Sequence, residues 1–239
     1  MYYAAVLSGD PALQEVFISG GNFHSNIAKK VFKLDCPVED IEVYHKKERQ
    51  GCKAISFGIL YGASSQKIAD TAGLSQREAS AIIKDYFNTF WVLKEWIDNT
   101  KCDIEKKGYI ISPLGRKRRL LNVSSEDKQV KAHELRSGLN AVIQGCASDI
   151  NLLGAIDMNE YIKSTKMDAK IFALVHDSIL AEVNENCIDE YVAAIKQCVQ
   201  KDRGVSIPGT PVGCDIEIGD DYSMGKFEKY YDSSELQIS

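Results

Sequence analysis

No apolar run in this sequence approaches the ~20 residues that a membrane span needs, so no transmembrane helix is expected. The opening Met1-Tyr2-Tyr3 leads on without a basic n-region, and no secretory signal is read there. Cys36, Cys52, Cys102, Cys146, Cys187, Cys198 and Cys214 are scattered singly, with no Cys-x-x-Cys pair among them. That pattern argues against a zinc site or a disulfide frame and suggests reduced thiols in a cytosol. An overall positive charge is missing too, since the net charge is −5.

What is present is ordinary globular composition: 239 residues, 44% hydrophobic and 26% charged, enough for a substantial core in one large or two smaller domains. The charge is unevenly spread. Residues 101–140 hold ten Lys/Arg against five Asp/Glu, a local +5, whereas residues 201–239 hold four against eight, a local −4. Phosphate binding depends on where cations cluster, and the middle of the chain supplies such a cluster.

The most informative stretch runs from Arg49 to Gly62. Arg49, Lys53, Phe57 and Tyr61 recur every fourth residue, and a step of four advances only about 40° around a helix, so all four share one stripe. A packing stripe is apolar throughout, and a solvated face carries both charge signs; two cations followed by two aromatics is neither. It suits a nucleoside triphosphate, with cations for phosphate oxygens and aromatics for sugar and base.

Around this helix the chain reads as follows. Residues 1–32 suggest one or two helices broken at Gly20-Gly21, with Asn22 or Ser25 as the next cap and His24 just inside; a histidine there is more often a capping or surface residue. A short polar helix near Pro37 comes next. From Ser65 to Lys107 the pattern is helical, with a capping box Ser75-x-x-Glu78 and a packing set Trp91, Leu93, Trp96 and Ile97. At Gly108–Ile111 the period becomes strand-like, Ser112–Gly115 reads as a turn, and Arg116, Lys117, Arg118 and Arg119 follow as a solvated loop, a localisation signal or a phosphate contact.

A long helix is expected from Glu126 to Tyr161, with Arg136, Asn140 and Gln144 at i, i+4 and i+8. Three long polar side chains on one stripe need partners if buried, either in an internal network or in a ligand. Residues 170–183 form two apolar runs around His176-Asp177, a hairpin whose tip offers a carboxylate to a divalent ion. A helix from Asn184 to Lys201 and a strand from Val212 to Ile218, closing the same sheet, complete the reading, with a frayed tail from Ser233 to Ser239. Asp220-Asp221 reads as a solvated turn.

Taken together, Arg-x3-Lys-x3-Phe-x3-Tyr-Gly, Glu-x-Arg-x3-Asn-x3-Gln-Gly and Val-His-Asp resemble, in order, motif B, a palm helix and motif C of the family A DNA polymerases, the group of bacterial DNA polymerase I and its phage relatives. The stretch Leu-Ser-Gly-Asp-Pro through Gly-Asn-Phe-His resembles the segment just after motif A. The resemblance implies an α+β fold: mostly helical fingers inserted in an antiparallel-sheet palm, a polymerase hand without thumb. It divides the chain into a palm-to-fingers segment 1–32, fingers 33–107 and palm 108–239. By the same resemblance Arg49, Lys53, Phe57, Tyr61 and His24 bind the incoming deoxynucleoside triphosphate, with Lys53 a proton donor to the leaving pyrophosphate. Gly62, Arg116, Lys117, Arg118, Arg136, Asn140 and Gln144 contact primer-template DNA. Asp177 is a catalytic metal ligand and His176 a neighbour of the primer end.

Ser178 departs from the acid that many relatives carry there. Motif A, with its second metal-binding aspartate, has no equivalent here, and Asp10 lies about ten residues too late. The expectation is therefore a C-terminal part that adds deoxynucleotides by two-metal, Mg2+-dependent phosphoryl transfer once an upstream segment or a second polypeptide supplies motif A and thumb, and that is inactive alone. It would work in a bacterial or phage-infected cytosol. The competing class is a non-catalytic accessory nucleic-acid-binding protein derived from a polymerase. A single-subunit RNA polymerase fits the Phe57 spacing and the Arg-Asn-Gln helix less well.

Overall fold

The computed structural model describes residues 1–61, 63, 65–221 and 229–231, with side chains for all of these except 59–61 and 229–231. The chain is mostly helical with small antiparallel sheets. It forms two compact units, Met1–Cys146 and Ala147–Ser239.

The first unit begins with α1 (Tyr2–Ser8), α2 (Pro11–Ile18) and α3 (Phe23–Phe32), three helices where the sequence suggested one or two. The additional break falls at Gly9-Asp10. Gly9 takes a left-handed φ of 66° that closes α1, and Asp10 starts α2 with Pro11 at the first helical position. Asp10 is 1% exposed and serves two helices at once: its carboxylate accepts from the Leu13 backbone N–H at 2.9 Å and from the Leu93 N–H at 3.0 Å. Those are N3 groups of α2 and of α8 (Trp91–Lys107), both of which would otherwise be buried without partners.

Next come α4 (Val38–Tyr44), with Pro37 at its N-cap position and no side-chain cap, and α5 (Lys46–Tyr61), which carries the mixed stripe and starts one turn earlier than expected. The rear of α5 is buried. Gly51 and Gly58 lie so close to their neighbours that an added Cβ would sit 3.0 Å from Ile82 Cδ1 and 2.8 Å from Ile68 Cδ1. Bare backbone there lets α5 seat against α7 (Gln76–Thr89) and α6 (Ser65–Ala72), which fixes the opposite face. Ser56 Oγ and Tyr86 OH meet at 3.4 Å on that buried side, and desolvation pushes the Cys52 thiol up to about 12, leaving it unreactive.

The Ser75–Glu78 capping box is present, and Glu78 also accepts from Lys47 Nζ at 2.6 Å. Leu93 and Ile97 are buried as expected, whereas Trp91 is 62% exposed and Trp96 only partly covered, so the aromatic members of that set are not core. The run after the Ser112–Gly115 turn is not loop alone. Lys117–Arg119 form β2, paired antiparallel with β1 (Tyr109–Ile111). Lys128–Thr165 form α9, within which the division between the units falls.

In the second unit, β3 (Ala169–Val175) and β4 (Ser178–Val183) make the expected hairpin, and α10 (Ile188–Gln200) follows a short 3-10 turn at Glu185–Cys187. Met158 and Ile162 of α9 pack with Tyr191, Ala194 and Ile195 of α10, and the hairpin lays Ile171, Ile179, Ala181 and Val183 over them. Gly154 sits flush against Val199, its missing Cβ 3.1 Å from that residue's Cα. The strand expected from Val212 shrinks to β5 (Ile216–Ile218) and pairs with β6 (Lys229–Tyr231), forming a sheet of its own and not closing that of β3 and β4. Residues 233–239 lie outside the described residues.

Candidate functional site

Asn22 caps α3 by accepting from the Ser25 N–H at 3.1 Å, which places His24 in the first turn of that helix. The α3 N-terminus then faces the stripe of α5. Arg49 Nε donates to Ser25 Oγ at 3.2 Å, and Nη2 reaches Asn22 Oδ1 at 3.5 Å and Glu42 Oε1 of α4 at 3.2 Å. The side chain is thereby held with only 16% of its surface exposed. One turn on, Lys53 is half-buried and makes no ion pair among the described residues.

His24 lies between these cations and Phe57. Its ring centroid is 5.7 Å from that of Phe57, and burial, then Lys53 and Arg49, lower its pKa to about 4. The imidazole is therefore neutral near pH 7, and its buried Nδ1 has no hydrogen-bond partner among the described residues. Phe57 is 46% exposed, which is unusual for a large aromatic in a helix so well packed behind. A row of rings leads up to it: Tyr2 on Phe17 at 5.4 Å, Phe17 stacked on Phe23 at 4.8 Å, Phe23 against His24 at 5.1 Å. The structure thus gathers His24, Arg49, Lys53 and Phe57 on one surface. The Tyr61 side chain and Gly62 lie outside the described residues.

All four residues of the basic run are exposed. Lys117 Nζ stands 3.7 Å over the Tyr109 ring, and Arg118 Nη2 donates to Ser137 Oγ of α9 at 3.2 Å. Gly138 lies under Leu120 and Ile104 with no room for a Cβ, so the hairpin is seated directly on α9 beside Arg136. The Arg136, Asn140 and Gln144 stripe is not uniform. Arg136 lines a cavity of about 330 Å³ with Lys101, Ile55 and Phe87, Asn140 Oδ1 is buried without a partner, and Gln144 is exposed.

In the second unit, His176 and Asp177 form a two-residue turn between Val175 and Ser178, which pair with each other. His176 takes φ 55°, a left-handed conformation uncommon outside glycine that histidine adopts more readily than most residues. Both tip residues are exposed, and Phe172 and Leu174 on the strand leading to them are 57% and 46% exposed. Among the described residues no group of three His, Cys, Asp or Glu is placed to hold a metal ion. Asp177, exposed at the tip, can supply a single oxygen donor to a hard cation.

The sequence reading missed two residues of the first unit. Asp10 was readable as a cap from Gly-Asp-Pro, where Pro at the first helical position follows a preferred cap. Glu42 carried no signal, because its partner lies seven residues on and in another helix.

Comparison with known proteins gives consistent results. The sequence pattern of DNA polymerase family A matches residues 1–224. The DNA polymerase of Escherichia phage T5 is 44% identical over 98% of this chain, which covers 31% of that relative. The thermostable DNA polymerase I of Thermus filiformis is 29% identical over 90% of this chain, covering 24% of its length. The solved POL domain of Pol1 from M. smegmatis, in complex with DNA primer-template and dNTP, superimposes with a TM-score of 0.79 at 30% identity, over 88% of this chain and 36% of that one. The chain thus spans less than a third of the length of these two curated relatives. No described helix is long and apolar enough to cross a membrane.

Proposed function

Since the chain belongs to DNA polymerase family A, we propose that it carries the nucleotide-selecting fingers (33–107), the segment leading into them (1–32) and palm (108–239) of a template-directed DNA polymerase. The observation that carries this reading is the surface where Arg49, Lys53 and Phe57 of α5 meet His24 of α3. A triphosphate meets two cations, one held by three oxygen partners and one without an ion pair among the described residues, while sugar and base meet the exposed Phe57 ring. A neutral His24 donates a hydrogen bond to a phosphate oxygen without adding a third charge to the stripe.

In this reading Lys53 gives a proton to the pyrophosphate as it leaves, as a positioned general acid. Tyr61 and Gly62 lie next to the nascent pair. Lys117, Arg118 and Arg116 hold primer-template phosphates, contacts that are blind to base sequence and weaken with salt. Arg136, Asn140 and Gln144 meet the primer-template groove, and the orphaned Asn140 Oδ1 supports this as an acceptor awaiting a donor. Asp177 would hold magnesium and His176 would stand at the primer end. When bound, a pair of such ions neutralises charge on the attacking and leaving oxygens of the phosphoryl transfer.

The second carboxylate and the thumb come, in this proposal, from an upstream segment or a second polypeptide, and the reaction takes place in a bacterial or phage-infected cytosol.

The test is primer extension by a polypeptide in which this chain is joined to an upstream segment. Lys53→Ala is expected to slow nucleotide addition by about 10²–10⁴-fold. Asp177→Asn is expected to abolish extension, because an ion-binding carboxylate is lost, while primer-template binding stays nearly intact. Lys53→Ala with an unchanged rate, or Asp177→Asn with lost DNA binding, would overturn the assigned roles.

A further inference from the structure

We propose that Glu42 is a positioning residue for the triphosphate, acting through Arg49; this rests on the reading of the α5 stripe given above. Two nitrogens of the guanidinium are engaged. Ser25 Oγ accepts from Nε at 3.2 Å and Asn22 Oδ1 from Nη2 at 3.5 Å, while the Glu42 carboxylate forms an ion pair with Nη2 at 3.2 Å. Nη1 makes no hydrogen bond among the described residues.

The nitrogen that Glu42 meets decides the role. A carboxylate on Nη1 would compete with an incoming phosphate for that nitrogen, whereas one on Nη2 helps to fix the fork and leaves Nη1 without a partner among the described residues. Glu42 pairs with Nη2, the nitrogen that Asn22 also holds. An arginine that enters a phosphate site already oriented loses less side-chain freedom on binding than one that swings. The three anchors come from two helices, α3 and α4, so they define the plane of the group and not only its position.

Glu42 is itself 62% exposed and has no burial role in α4. Its replacement therefore tests the contact with little effect on the fold, and Asn22 and Ser25 remain as partial anchors. Gln retains the acceptor oxygen that meets Nη2, whereas Ala removes it.

The experiment is a fluorescence titration of the chain with mant-dATP, competed with inorganic tripolyphosphate, for wild type, Arg49→Ala, Glu42→Ala, Glu42→Gln and the Arg49→Ala/Glu42→Ala double variant. Glu42→Ala is expected to weaken nucleotide and tripolyphosphate alike by roughly threefold, the scale of a partly exposed charge pair. Glu42→Gln, which keeps the oxygen but not the charge, is expected to restore only part of that loss. In the Arg49→Ala background Glu42→Ala should have no further effect, because its target is gone.

Tighter binding on loss of Glu42, or an equal loss in the Arg49→Ala background, would overturn the inference while leaving the stripe intact. Binding unchanged by Arg49→Ala, or no binding by the wild-type chain, would overturn the reading of the stripe itself.

Discussion

His24 and Phe57 stand across the contact between α3 and α5 with ring centroids 5.7 Å apart and planes inclined at 47°. The contact puts an aromatic wall beside an imidazole that burial, then Lys53 and Arg49, keep from protonating, so His24 is neutral near pH 7.

That arrangement predicts an acid-side loss of stability. The ordinary histidine pKa of 6.5 applies to the unfolded chain, and the folded value is lowered to about 4, by burial first and then by Lys53 and Arg49. Between these values the unfolded state binds the proton and the folded state does not, so stability falls as pH drops from 6.5 towards 4. For a partly exposed ring, screening reduces the effect to about 1 kcal/mol. The urea midpoint of wild type should fall below that of His24→Asn, relative to pH 7, over this window. Parallel pH profiles for the two proteins would contradict the assignment.

Asp10 joins the first turns of α2 and α8 through one buried carboxylate. Asp10→Ala leaves two buried N–H groups without acceptors and is expected to destabilise the first unit by about 3 kcal/mol, with Asp10→Asn losing roughly half as much. Urea denaturation measures both, and a loss below ~0.5 kcal/mol for the alanine would show that the caps are dispensable.

Phe57, 46% exposed on the stripe, is the proposed sugar-side aromatic. Phe57→Tyr adds a hydroxyl where the ring meets the sugar edge and is expected to relax discrimination against dideoxynucleotides. Competition between a deoxynucleotide and its dideoxy analogue in primer extension reads this directly, and equal incorporation by both forms of the protein would remove Phe57 from that position.

Much of the fold was legible because its signals are local. The four-residue period of Arg49, Lys53 and Phe57, the Ser75–Glu78 box and the apolar runs around His176-Asp177 each specify an element within a few residues. Long-range partners were not legible. Whether the β5 strand joins β3 and β4 depends on pairing across the chain, and it pairs with β6 instead. Trp91 shows the same limit: the helical period placed it with Leu93 and Ile97, but it starts α8 on the exposed side. In the candidate site the stripe was readable and its supports were not, since Asn22, Ser25 and Glu42 reach Arg49 only after α3, α4 and α5 have packed.

The most direct measurement is template-directed primer extension with Mg2+ and deoxynucleotides, made with the chain alone and with the chain joined to a segment carrying a thumb and the motif A aspartate. The account predicts extension only by the joined form, because in the proposed site Asp177 supplies one metal-binding carboxylate where the reaction uses two. Extension by the chain alone would contradict it, since the second ligand would then have to lie within these 239 residues.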